Sequence, residues 1–347
     1  QGCGNCCLCS NLRQKQYHFL NEPLSKEEYE KRVSEFRGSY AKMEEMRGKW
    51  LQLQKDMIHR HANIVNSENC TGDFIENSKN CLDCYDMNES QDSRYVVVGV
   101  QVKDNYDCSN MYIKPELCYE TLGTIEVYNC AYCLFVFHSQ NLLLCEYCFN
   151  CKDCFGCVGL KHKQYCIFNK QYPKEEYEQL VSKIIEHMRK TNEWGLYLPS
   201  SLSPFGYNES LAHEYLPLTA KDANAQGFSW RTVVEKKPEV KKTIPASRLP
   251  DRIEDIPDDV LNWAIVCDVT GRPFRIQKQE LDFYRRQNLP LPHAHPDERY
   301  DRRLRLRNPR RLWARKCMKC GKEMQTTYAP ERPERVYCEE CYLKEVY

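Results

Sequence analysis

Twenty-two cysteines in 347 residues restrict the fold of this chain more than any other feature. They fall in three blocks: four at Cys3–Cys9, thirteen between residues 70 and 166, and five between 267 and 341. Residues 10–69 and 167–266 hold none. A secreted disulfide scaffold is usually short and stapled throughout. A long chain with clustered thiols and ordinary helical stretches reads instead as cytoplasmic, with cysteine used for metal or for packing. No apolar run approaches the roughly eighteen residues of a membrane span, so no membrane partner is expected. The start, Gln1-Gly-Cys-Gly-Asn, lacks the charged and apolar regions of a signal peptide and lacks Met, so a processed or truncated N-terminus is expected. Fifty Lys+Arg against forty-nine Asp+Glu give +1, so bulk charge announces neither nucleic acid nor membrane.

The sequence repeats itself. Residues 4–36, GNCCLCSNLRQKQYHFLNEPLSKEEYEKRVSEF, align without gaps on 152–184, KDCFGCVGLKHKQYCIFNKQYPKEEYEQLVSKI, with 14 of 33 positions identical. The shared unit is a Cys-bearing extended stretch, an Asn turn and a helix. Between the copies, [Asn/Asp]-Cys-x-x-[Cys/Met] recurs at Asn80-Cys81, Asp107-Cys108, Asn129-Cys130 and Asp153-Cys154, at spacings of 27, 22 and 24 residues. A second row runs through Cys70, Ser93, Cys118 and Cys145, with short β-rich pieces between. Short strands, polar turns and a period in the twenties point to a parallel β-helix of about four coils over residues 64–170. Cysteine suits its inner ladder because it is small, apolar and readily buried. The alternative is an iron–sulfur or polythiolate site on Cys145, Cys148, Cys151, Cys154 and Cys157, whose every-third spacing superficially matches a ferredoxin. Against it, Met111 and Ser93 occupy equivalent positions, and no later Cys-Pro completes the pattern.

The fold class expected is mainly β with flanking α: a Cys-laddered solenoid with covering helices and a small C-terminal zinc-ribbon or treble-clef module. Ser25-Lys-Glu-Glu28 is a capping box, and an apolar stripe from Tyr29 to Met57 predicts helix, split near Gly38-Ser39. Pro173 opens the second copy's helix. The expected division is a partial coil at 1–24, helices at 25–62, the β-helix at 63–172, a helix at 173–190, an irregular arm at 191–230, an extended linker at 231–260 and zinc-ribbon domains at 261–347. The arm's aromatics are expected to be anchored across the β-helix, and Lys236-Lys237-Pro238, Pro245, Pro250 and Pro257 suggest the linker.

Cys317-x2-Cys320-x17-Cys338-x2-Cys341 is the strongest chemical motif. Two CxxC knuckles at this separation read as one tetrahedral zinc site. Four thiolates leave no open position, so the expected role is structural. Upstream, Cys267-Asp-Val-Thr-Gly, Glu280-Leu-Asp-Phe-Tyr284 and His295-Pro-Asp-Glu-Arg299 make residues 262–300 resemble a small bacterial zinc-ribbon domain with pattern CxxCGxxF, E-x-x-FY and CPxCR. Thr270, His295 and Glu298 stand where its second, third and fourth ligands would be. The resemblance implies a fold kept after its metal was lost; a Cys267–His295–Glu298 site is the weaker possibility, and a second zinc is not expected. FGCVGLKHKQYCIFNKQYPKEEYE, LSPFGYNES and TTYAPERPERVYCEECYLKEVY make the whole chain resemble an uncharacterised family of bacterial zinc-ribbon proteins, which implies zinc and supplies no activity.

Arg299 to Lys316 carries nine basic residues against Asp301 alone. Next to a zinc ribbon, Arg302, Arg303, Arg305, Arg307, Arg310, Arg311 and Arg315 make a candidate contact surface for nucleic acid or a protein partner. The chain holds no G-x-S-x-G, Walker loop, dinucleotide fingerprint or HExxH. The function expected is therefore a non-enzymatic, zinc-containing scaffold or binding protein. The alternatives are a redox protein using Cys145–Cys157, or a β-helix enzyme acting on glycans with acids such as Asp73, Asp83 and Asp86 beside His138.

Overall fold

The computed structural model describes residues 2–232 and 238–346; Lys236 and Lys237 of the expected linker lie outside the described residues. It is a mixed α/β protein with many short strands and, among the described residues, eight α-helices: α1 (Lys26–Phe36), α2 (Tyr40–Asp56), α3 (Lys174–Lys190), α4 (Leu211–Tyr215), α5 (Ala220–Ala225), α6 (Lys278–Gln287), α7 (Pro296–Leu304) and α8 (Glu339–Val346). None is long and apolar enough to cross a membrane.

The middle of the chain is governed by a period of three. From Phe74 to Ile113 every third residue has a left-handed φ of 47–61°. Asn and Asp reach that region at least cost, which is why Asn77, Asn80, Asp83, Asp86, Asp92, Asp104 and Asp107 supply many of these positions. The residue after each one points inward: Ile75, Ser78, Cys81, Cys84, Met87, Ser90, Ser93 and Val96 are all buried. Each inward Cys or Ser donates to the carbonyl two residues back, as Cys84 Sγ does to Leu82 (3.3 Å) and Ser90 Oγ to Asn88 (2.9 Å). Local geometry therefore satisfies a small side chain with one donor, while Ile75, Met87 and Val96 fill the same inward positions without one.

Hydrogen bonding joins these segments into a ten-stranded sheet. Its pairs are parallel except the last, Gln164–Ile167 with Lys170–Gln171. The register advances by about twelve residues: Gly72↔Cys84, Val97↔Ser109, Ile125↔Phe137, Lys152↔Gln164. This is half the spacing read from the recurring motif, and the unequal 27 and 22 have a cause. Cys81 pairs with Ser93, whereas Cys108 belongs to the next row, so the Asp107-Cys108 motif sits one triplet out of column. Asn69, Asn80 and Asp92 stack in one row of side-chain hydrogen bonds (3.0 and 2.7 Å), and Asn129, Asn141 and Asp153 in another stretch of it (2.9 and 2.7 Å).

The repeat seen in sequence is also a repeat of register. Cys6↔His18 and His18↔Pro23 in the first copy match Cys154↔Cys166 and Cys166↔Gln171 in the second. Helices α1 and α3 follow at equivalent places, with Ser25 capping α1 through the Glu28 N–H (3.1 Å). In the second copy the buried Tyr177 of α3 packs with Phe155 and Ile167. Helix α2 begins at the expected break, capped by Ser39, but buries no residue; its Tyr40 stacks on His293 instead (3.5 Å between centroids).

Two stretches differ from expectation. The proline-rich segment from 242 onward is folded: Lys242–Pro245 pairs with Trp263–Val266, and Ile244, Leu249, Ile253, Ile256 and Val260 join Ile265, Phe274 and Leu281 in one core. Its prolines begin or flank short 3-10 turns rather than keeping the chain extended. The arm is only partly anchored. Tyr197 lies beside Tyr132, with burial pushing its phenol up to about 12, yet Leu202, Phe205 and Leu216 stay exposed.

Candidate metal centre

The hairpin Trp313–Lys316 with Glu323–Thr326 presents the first knuckle, and the start of α8 presents the second. The Cys317 N–H donates to the Lys322 carbonyl (2.8 Å) and the Gly321 N–H to the Cys317 carbonyl (2.9 Å). This turn needs the left-handed φ of +77° that Gly321 adopts. The Cys338 N–H then donates to Cys317 Sγ (3.3 Å), tying the knuckles together. The four sulfurs of Cys317, Cys320, Cys338 and Cys341 lie within 4.8 Å of one another, and Cys320 Sγ is 3.7 Å from Cys338 Sγ. A tetrahedron with zinc–sulfur bonds of about 2.3 Å has edges of about 3.8 Å, so the group has the size of a metal site. Burial pushes the Cys317 thiol up, but the N–H groups of Cys320, Cys338 and Lys319 outweigh it and bring the thiol down to about 6. Burial and sharing with the other thiols push Cys341 up to about 12. One thiolate is stabilised by the backbone; four together require a cation. This group could hold a metal ion.

Residues 263–304 repeat the scaffold with other side chains. The Cys267 N–H donates to Arg272 (3.0 Å), Gly271 to Cys267 (3.0 Å), and Asp268 to His293 (3.2 Å), just as Met318 donates to Val336 (3.1 Å) in the tail. Gly271 has φ +68° against +77° at Gly321, and α7 starts after His295 as α8 starts after Cys338. The ligand chemistry is not repeated. Burial raises the Cys267 thiol, and hydrogen bonds from Thr270 and the backbone of His295 and Val269 lower it further than that. The His295 ring caps α7 by accepting from the Asp297 N–H (3.2 Å), and the buried Glu298 accepts from Arg305 (3.4 Å) and faces Arg302 (3.5 Å). Cys267, His295 and Glu298 do not come together: among the described residues, only the tail cysteines gather three or more ligand atoms within 4.8 Å.

The same holds for Cys145–Cys157. All five cysteines are buried, but they occupy successive corners, each donating to its own carbonyl, as Cys148 does to Glu146 (3.4 Å). All 22 cysteines lie among the described residues, and Cys145, Cys148, Cys151, Cys154 and Cys157 are not disulfide-bonded.

The basic segment is largely committed within the chain. Arg302 and Arg305 face Glu298, and Arg307 and Arg310 face Asp86 (3.9 and 2.9 Å). Arg315 donates to the Ala329 carbonyl (3.2 Å); Arg303 and Arg311 lie over the rings of Tyr300 and Trp313 and remain exposed. The loose acids are paired as well. Asp83 meets Arg94 and His138 meets Glu126 (2.7 Å), while buried Asp73 accepts from Asn63, Phe74 and Thr327.

Sequence reasoning missed the junction that holds the tail. Arg335–Tyr337 pairs in parallel with Ile58–Arg60, Thr326 Oγ1 donates to the His61 carbonyl (2.7 Å), and Thr327 Oγ1 to Asp73 (3.1 Å). No local pattern announces a pairing between strands so distant in the chain. Neither a family model nor a curated protein matches this chain.

Proposed function

We propose that this chain is a non-enzymatic cytoplasmic scaffold: a short parallel β-solenoid over residues 64–167, closed at its first end by a zinc-ribbon module with one structural zinc. The twelve-residue register supports a solenoid with one coil per twelve residues, twice the number expected from the sequence period. Such an array needs both ends covered, and α3 with Tyr177 serves one end as the tail serves the other. The observation that carries the reading is the set of four converging sulfurs whose module hydrogen-bonds directly to the first strands through Tyr337, Thr326 and Thr327. With four thiolates the ion has no position for substrate, and Asp83 and Asp73 are taken up by Arg94 and by Asn63, Phe74 and Thr327. The resemblance to uncharacterised bacterial zinc-ribbon proteins fits this reading.

The partner is a protein rather than nucleic acid. Five of the eight arginines between 299 and 316 are engaged within the chain by Glu280, Glu298 and Asp86, which lowers the local charge from +8 to +5. Anisotropy titrations with labelled RNA and DNA at low salt test this. Weak binding is expected; tight binding with a steep salt slope would restore the nucleic-acid reading. Zinc analysis tests the rest, with one equivalent per chain expected and none after Cys338→Ser.

A further inference from the structure

One face of the parallel sheet carries a continuous row of eight residues, seven register steps long: Glu76↔Asn88↔Val100, then Tyr112↔Ile125↔Phe137↔Phe149↔Lys161. Val100 and Tyr112 are adjacent because Gly99 pairs with Met111. At about 4.8 Å per step the row is about 34 Å long. Its middle is apolar, with Phe137 and Phe149 in ring contact at 5.1 Å and Tyr112 and Ile113 exposed. Among the described residues, no hydrogen bond, ion pair or ring contact joins this row to a helix, the arm or the tail. Helix α3 packs on Phe155 and Ile167, and the arm's Tyr197 beside Tyr132. The ends are oppositely charged. Glu76 and Glu89 are exposed at one; Lys161, His162 and Lys163 are exposed at the other. Neither Glu76 nor Lys161 has a salt-bridge partner among the described residues; Lys161 lies over the Phe149 ring (5.8 Å).

We propose that this row is the interface of a two-fold homodimer, packed face to face with the rows antiparallel. Charge order selects the occupant. A two-fold axis across the row between Tyr112 and Ile125 places Glu76 of one copy against Lys161 of the second, twice per dimer, and sets Val100 against Phe137. A parallel arrangement would oppose like charges at both ends. The row has the composition of an interface core, aromatic at its centre and charged at its rim. This inference rests on the register, exposure and charge order of the row and stands whether or not the tail holds zinc.

Sedimentation equilibrium on the intact chain tests it, comparing wild type with Phe137→Arg, Glu76→Lys, Lys161→Glu and the double reversal. The wild type is expected at twice the 41.2 kDa chain mass, and Phe137→Arg at the chain mass. Each single reversal is expected to weaken the dimer roughly fivefold, since it disturbs two symmetric contacts, and the double reversal to restore it. Should Phe137→Arg fail to fold, the charge reversals decide. A wild type that stays at the chain mass at every concentration overturns the proposal, also if a different protein occupies the row. So does a dimer that neither reversal weakens.

Discussion

The chain uses cysteine in two regions under opposite rules. In the array twelve buried thiols face inward at triplet corners, each satisfied by the carbonyl two residues back, and no three of their sulfurs lie within 4.8 Å of one another. In the tail four thiols meet within 4.8 Å and are satisfied by one another and by N–H groups aimed at sulfur. Cys317, Cys338 and Cys341 are buried like the array thiols while Cys320 is exposed, so burial does not distinguish a candidate ligand from filler. Convergence does: only in the tail do four sulfurs gather at one point, whereas an N–H aimed at sulfur also occurs in the array, from Asn169 to Cys157 (3.4 Å). The 263–304 module sharpens the point, because it keeps the N–H geometry around Cys267 while the ligand partners are gone.

Identical substitutions should therefore have unequal effects in the two regions. The largest effect is expected for Cys338→Ser, which removes one metal ligand. Most of the ~10 kcal/mol that a structural zinc contributes would be lost. Zinc content should fall to zero, and hydrogen exchange should quicken at His61, whose N–H is held by the Tyr337 carbonyl at 3.0 Å. Next comes Gly72→Ala. A Cβ there would sit 1.6 Å from the Cys84 carbonyl oxygen at a φ of +138°, so backbone must move. A loss of about 3 kcal/mol or more is expected in urea unfolding.

Cys148→Ser should cost about 1 kcal/mol or less. The row of Cys148 already holds a hydroxyl at Thr124, and serine fills the neighbouring inward row, where Ser90 donates to Asn88 and accepts from the Val102 N–H (3.2 Å). A large loss at Cys148 would mean that the array thiols are not interchangeable filler. The smallest effect belongs to a contact that uses no thiol. The Asp251 carboxylate accepts from the Ala41 N–H (2.8 Å) and the Ser39 hydroxyl (2.6 Å), and these hold its pKa below the usual carboxylate range. Its contribution is complete above the unfolded value of about 3.9. It fades as pH falls through the lower folded value. Asp251→Asn should loosen α2 by at most about 1 kcal/mol and flatten that acid-side slope in unfolding measured against pH.

Local order was readable in the sequence wherever one residue type is forced by backbone geometry. Asn and Asp at left-handed corners, the Ser25 cap, the break at Gly38-Ser39 and the glycine-relieved knuckle at Cys317 were all legible for that reason. The twelve-residue register was not. Inward positions tolerate Cys, Met, Val, Ser and Thr alike, so the recurring Cys motif marks only some steps, and Asp107-Cys108 slips by a triplet. The prolines between 245 and 257 suggested extended chain because composition does not show that Ile253, Ile256 and Val260 share a core with Ile265. The arginines looked like a surface because Asp86, which faces Arg307 and Arg310, lies far away in sequence.

The most direct test of the two rules is metal analysis combined with thiol counting on native protein. One zinc per chain, no iron, and twelve array thiols that react only after unfolding are the expected result. Iron with acid-labile sulfide, or zinc that survives Cys338→Ser and is lost on replacing Cys145 and Cys148, would contradict it.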